Sequence, residues 1–176
     1  MPLLKHNEIV PDTWIALDSE TPLPDSGDVI VPLGRFVKDK NDLGRRRNRL
    51  GVRLGNTDKP EAVASLLPEL SVIVLPFPAF NDGRAYSLAR KLREMGYQGE
   101  LRASGNILPD QLQFMLQVGF DAFEIGDRFP LETWRKAARQ MSLAYQRGLF
   151  RRDPEADIWT ERHADAEPWL EQPHAG

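Results

Sequence analysis

Residues 28–145 switch hydrophobic period repeatedly, and that alternation constrains the fold more than any other feature. Residues 29–33, Val-Ile-Val-Pro-Leu, form a short apolar run of strand type, with Pro32 marking its end or an edge. Residues 35–47 follow a weak helical pattern, with Phe36, Val37 and Leu43 on the apolar side. Leu50, Val52 and Leu54 then alternate with Gly51 and Arg53, the period of a strand. Thr57 or Asp58 can cap a following helix that has Pro60 in its first turn and Val63, Leu66, Leu67 and Leu70 on one face. Residues 71–77 are β-branched and apolar, as a buried strand requires. Asp82 opens the strongest helical pattern, Ala85, Leu88, Ala89, Leu92 and Met95, and Gly96 closes it. Residues 101–105 make the next strand. A helix starting at Pro109 follows, with Leu112, Met115 and Leu116 inward and Gly119 at its end. Residues 122–125 are the last strand, and residues 131–145 a final helix with Leu131, Trp134, Ala138, Met141 and Tyr145 inward.

Five consecutive strand–helix units imply an α/β protein with a mostly parallel sheet and right-handed crossovers. They are too few for an eight-stranded barrel. Two architectures stay open: an open, doubly wound sheet, which is favoured, and a half-barrel, to which the barrel-like run at 119–125 points. The expected division is an N-terminal β element and loop at 1–27, one α/β domain at 28–147 and an acidic tail at 148–176. Trp14 to Leu17 can form a short strand in the first part, and Pro22, Pro24, Ser26 and Gly27 mark its loop. Residues 151–176 carry seven acids against three arginines, with Trp159 and Trp169 isolated and no period. Such a composition fits a disordered segment, the favoured reading, or an arm docked by its tryptophans.

Composition removes several chemistries. There is no cysteine, which excludes disulfides, cysteine-ligated zinc, thiolate-held iron–sulfur clusters and a cysteine nucleophile. The three histidines, His6, His163 and His174, lie in the terminal segments, so no histidine base or multi-histidine metal site is expected in the central body. The net charge of -3 argues against general nucleic-acid binding. The longest apolar run, residues 72–79, carries two prolines and is too short to span a bilayer. Residues 1–10 lack the apolar segment of a signal peptide, and the expected location is cytoplasmic. Neither a P-loop nor a Gly-x-Gly-x-x-Gly after a strand occurs, so ATP and dinucleotide binding in the usual manner have no support. The cofactor, if there is one, is left unidentified, and a homo-oligomer is left open.

Ligands of parallel α/β sheets bind beyond the carboxyl ends of the strands. The polar residues the sequence places there include Asp82, Gly83 and Arg84 after one strand and Ser104 at the end of the next. Arg53, Arg102 and Glu124 each put one charge into a strand that should be covered on both faces, where a charge needs a partner. Arg84 stands in the first turn of its helix, where the dipole favours anions. One reading is an anion pocket built from Arg53, Gly83, Arg84, Arg102 and Ser104, with Asp82 and Glu124 as acid and base. The other, favoured for Arg84, is a local pair with Asp82 or Glu124 and no ligand. Eight lysines and arginines against two aspartates in residues 35–53 form either a solvated helix end or a docking face for an acidic partner, the chain's own tail included.

Phe-Pro-x-Phe-x-Asp-Gly-Arg-x-Tyr-Ser-Leu-Ala at 77–89 resembles the hallmark of the bacterial family called domain of unknown function 934. Gly-Glu-Leu-Arg-Ala at 99–103, Asp110-Gln111-Leu112, residues 119–124, Tyr145-Gln146, residues 27–33 and residues 50–54 fit the same family. The resemblance covers residues 28–146. It implies a pathway more than a mechanism, because family members are described as oxidoreductases involved in sulfite reduction and are encoded beside the assimilatory sulfite reductase. Lacking cysteine, this chain is not itself the iron–sulfur catalytic subunit. Three functions follow as alternatives: an accessory protein that assists sulfite reductase, an enzyme acting on a small anion, or a purely structural subunit.

Overall fold

The structure, a computed structural model, describes residues 2–6 and 8–139. Its first three strands are short: β1 (Leu3–Lys5), β2 (Glu8–Val10) and β3 (Ile15–Ala16). β4 (Val29–Pro32) leads into α1 (Leu33–Lys38) and α2 (Lys40–Gly44), and β5 (Leu50–Arg53) into a 3-10 helix at Pro60–Leu66. β6 (Leu70–Phe77) is followed by α3 (Arg84–Glu94). β7 (Glu100–Gly105) is followed by a 3-10 turn at Pro109–Gln111 and by α4 (Leu112–Gln117). β8 (Ala122–Glu124) precedes α5 (Leu131–Arg139).

All eight strands join one sheet in the order β2-β1-β8-β7-β6-β5-β4-β3. From β3 to β8 each strand pairs in parallel with the next one in sequence. β1 then closes the far side, antiparallel to both β8 and β2. A doubly wound sheet needs a point where the strand order reverses, because that reversal sends the later crossovers to the other face. Here the order never reverses. Right-handed crossovers that all step the same way put every helix on one face, and the sheet curls into a half-barrel. Of the two architectures open from the sequence, the half-barrel is the one formed.

The side chains confirm the single wrapping. Val29, Val31, Val52, Ile73, Leu75, Phe77, Leu101, Ala103 and Phe123 share one core with the inward faces of the helices. Residues between them in each strand point to the helix-free, inner face. There Ile30, Val72 and Val74 form a separate small cluster capped by Trp14. The strands approach closely on that face: a Cβ on Gly51 would lie 2.3 Å from Val72 and 2.9 Å from Ile30. Gly105 closes β7 at φ +90, and a Cβ there would lie 2.6 Å from the Phe77 carbonyl oxygen, so both conformation and space call for glycine.

Three local expectations change in form. The 35–47 pattern splits into α1 and α2, and Val37 turns outward with 61% exposure. The cause is Arg35, which is drawn inside to donate to the Asp18 carbonyl and to pair with Asp39, so α1 buries Arg35 and Phe36 instead. The helix at Pro60 is 3-10 and has no side-chain cap; the Asp58 carboxylate accepts the Gly55 N–H. Asp82 stands two positions before α3, its carboxylate accepting the Arg84 N–H at 3.2 Å. Of the final helix, Met141 and Tyr145 lie outside the described residues, as does the tail at 148–176.

Candidate functional site

The sheet divides the residues singled out from sequence into two sets. Val52, Ala103 and Phe123 point into the helix-covered core, so their neighbours Arg53, Arg102, Ser104 and Glu124 belong to the inner face. Asp82, Gly83 and Arg84 instead sit in the loop between β6 and α3, at the carboxyl-end rim. No hydrogen bond or ion pair joins the two sets among the described residues.

On the inner face Arg102 is the centre. Its side chain is 1% exposed, yet it is charged. Its Nη1 lies 2.8 Å from Asp12 and 3.5 Å from Glu124, and its Nε donates to Glu100 at 3.0 Å. Nη2 approaches the same Glu100 oxygen at 3.0 Å but out of hydrogen-bonding line, and is otherwise unpartnered. Burial alone would lower the arginine's pKa; Glu100 and Asp12 outweigh that and raise it. Lys5 bonds Glu100 at 2.7 Å and completes a network of two cations and three acids. An anion would have to displace one of these carboxylates to reach Arg102. Arg53 lies in the same row of the sheet, across Val74, and is exposed with no ion pair among the described residues.

The segment between β2 and β3 supplies the lid of this face. Asp12 reaches Arg102 from it, and Trp14 covers Val72, Val74 and Ile30. Arg49, held by Asp28, lies 5.0 Å from the Trp14 ring centroid as a cation–π partner. Nothing in the period or spacing of residues 8–16 announces Asp12 as a partner 90 residues away. Glu100 was missed as well, although residues two apart in a strand share a face and that spacing could have paired it with Arg102.

At the rim, Arg84 grips Asp82 with two bonds, Nε to Oδ1 at 2.9 Å and Nη2 to Oδ2 at 2.6 Å. Asn56 donates to Asp82 Oδ2 at 2.8 Å from the β5 loop. These bonds, Arg84's first, hold the Asp82 carboxyl well below the usual carboxylate range, and they raise the Arg84 pKa. The local pair expected for Arg84 is formed. Asp82 thereby supplies the negative charge that the start of α3 favours. Gly83 is exposed, with open space where a side chain would go.

Beside this pair lies an aromatic ledge. Tyr86 packs edge-on against buried Phe77 (5.1 Å) and at a tilt against Phe114 (4.9 Å). Phe114 and Phe80 are each 53% exposed. The Phe80 carbonyl is fixed by Gln111 Nε2 at 2.6 Å, which ties the two loops together. The helical period sets Phe114 off the inward face, since it lies two positions from Leu112. No group of three or more His, Asp or Glu among the described residues is placed to hold a metal ion. No helix among them is long and apolar enough to cross a membrane.

A singly wound half-barrel with its strand ends exposed at one rim is the structural class. The chain belongs to the family described as bacterial protein of unknown function (DUF934), whose model matches residues 51–155. The match spans the parallel strands β5 to β8 and stops short of the lid segment and β1 to β4. No curated protein matches the chain.

Proposed function

We propose that this protein serves assimilatory sulfite reduction as an accessory factor that binds a partner, and that it does not catalyse the reduction. The pathway rests on the resemblance carried by residues 77–89 and 99–103. The accessory role rests on one observation: both carboxylates suited to acid–base work already face an arginine. Asp82 is bonded twice by Arg84, and Glu124 lies 3.5 Å from Arg102. A general acid or base works best with a pKa near the operating pH, and Asp82 is driven away from it. The exposed ledge of Phe80, Tyr86 and Phe114 supports binding, since aromatic residues are enriched at protein interfaces. Sulfite reductase is the partner this reading names.

The experiment is a pull-down with tagged protein, probed for sulfite reductase, beside a deletion strain grown on sulfite as sole sulfur source. Recovery of the reductase, its loss with Phe80→Ser/Phe114→Ser, and slowed growth are expected. Normal growth with no reductase recovered would refute the reading. One observation favours a second reading, an inner-face site for a small anion: Arg53 is exposed and without an ion pair among the described residues. Titration with sulfite or phosphate, compared between the wild type and Arg53→Ala, tests it. Saturable heat lost in the variant supports the site, and no heat in either ends it.

A further inference from the structure

Residues 38–47 form a cationic face on a chain whose net charge is negative. Seven of the eight cations of residues 35–53 fall into two groups, Arg53 standing apart at the end of β5. Arg35, Arg46 and Arg49 are each bound by a partner within the fold, although 59% of the Arg49 side chain stays in solvent. Arg35 bonds the Asp18 carbonyl and Asp39, Arg46 bonds the Pro24 and Gly27 carbonyls, and Arg49 is held by Asp28. Lys38, Lys40, Arg45 and Arg47 are exposed, within ten consecutive residues. The only exposed acid among them is Asp42, which stands 4.0 Å from Arg45 with both side chains more than 70% in solvent. Val37, 61% exposed, gives the face an apolar spot. A surface of this kind attracts a complementary acidic segment.

We propose that residues 153–171 of the same chain dock on this face. That segment carries seven acids and one arginine, with Trp159 and Trp169 as apolar anchors able to meet Val37. Its reach is sufficient. The described chain ends at Arg139 in α5, which packs against the connection between β7 and β8. Thirteen residues lie between Arg139 and Asp153, and the fourteen chain steps span up to about 46 Å when extended. Crossing the sheet from β8 to β4 takes four strand steps, about 19 Å. Tethering keeps the acids at high effective concentration, so individually weak exposed pairs act together. Both segments flank the family core: residues 38–47 precede the matched 51–155 and most of the acids follow it. The acidic tail then shields this basic face from any other acidic partner.

Zero-length carbodiimide cross-linking of the full chain at low concentration tests this, because it joins lysines only to carboxylates in contact. Amide links from Lys38 or Lys40 to residues 153–171 are expected. They should fall about threefold or more between about 0.02 and about 0.5 M salt, and fall similarly in Arg45→Glu/Arg47→Glu. The substituted arginines are exposed, and far-UV circular dichroism checks that the variant stays folded. Tail links spread evenly over Lys38, Lys40, Lys59 and Lys91, or no tail links at all, would overturn the proposal. Links found only between copies in a mixture of isotopically light and heavy chains would overturn it equally. Should the variant not fold, the distribution and salt dependence in the wild type decide alone.

Discussion

Arg102 and Arg84 each meet a carboxylate at 3.0 Å or less, and the surroundings give the two contacts opposite meanings. Arg102 is 1% exposed and answers three acids drawn from β7, β8 and the lid segment. Arg84 is 57% exposed and answers one acid two residues away. The first contact links parts of the chain up to 90 residues apart and cannot be broken without stranding charge in a dry site. The second is local, and water can replace it. Identical chemistry is therefore structural on the inner face and nearly interchangeable at the rim.

The sharpest way to break this contrast is Arg102→Met. It leaves Asp12, Glu100 and Glu124 without their shared cation and should lower stability by about 3–5 kcal/mol, read from urea denaturation. A loss below about 1 kcal/mol would mean the network is not structural. Tyr97 tests burial by another route. It is 1% exposed, and burial pushes its phenol pKa well above the ordinary value of 10.0. The folded pKa is the higher one, so the unfolded state releases the proton first as pH rises. Stability is intact below pH 10 and falls above it. Tyr97→Phe, which loses only a 3.3 Å bond to the Glu100 carbonyl, should flatten that alkaline fall in a pH series of melts.

Glu124→Gln should cost less, about 1 kcal/mol, because Arg102 keeps Asp12 and Glu100. A cost equal to that of Arg102→Met would show that the three acids do not share the load. Exposed Asp18 gives an acid-side counterpart. Bonds from Thr21 lower its pKa from 3.8 to about 2, so its contribution is present above pH 3.8 and disappears as pH falls toward 2. Asp18→Asn should reduce the pH dependence of stability in that window alone. The smallest effect belongs to Arg84→Ala, whose denaturation midpoint should match the wild type within scatter. A large drop would move Arg84 into the same structural category as Arg102.

The strands and helices were legible because each unit carries its own period and its own stop. Val72 to Phe77 and the Ala85–Leu92 face needed no tertiary information, and Gly96 and Gly119 adopt positive φ where the helix ends were read. The wrapping was less legible. A doubly wound sheet and a half-barrel use the same units, and only strand order, set by long-range pairing, separates them. The same limit governs the site. The Asp82–Arg84 pair was readable because its partners are two residues apart. Arg102 and Glu124 were readable as charges in need of partners, but Asp12 and Lys5 come from strands and loops whose place in the sheet leaves no mark on their own sequence. The exposure of Phe80 was not legible, because in a loop hydrophobicity alone does not report which side chains face water.

β1 pairs along its whole length with β8, Leu4 opposite Phe123. On a ribosome that synthesises from the amino end, β1 is made before β8 and must wait until residues 122–124 have emerged. Until then the growing sheet has an open border at β7 and then at β8, and Lys5 has no Glu100 to meet. Closing so long a loop is entropically expensive and slow. β1 can therefore seat only after β8 has been made, and the border left unpaired until then is open to a strand of another copy.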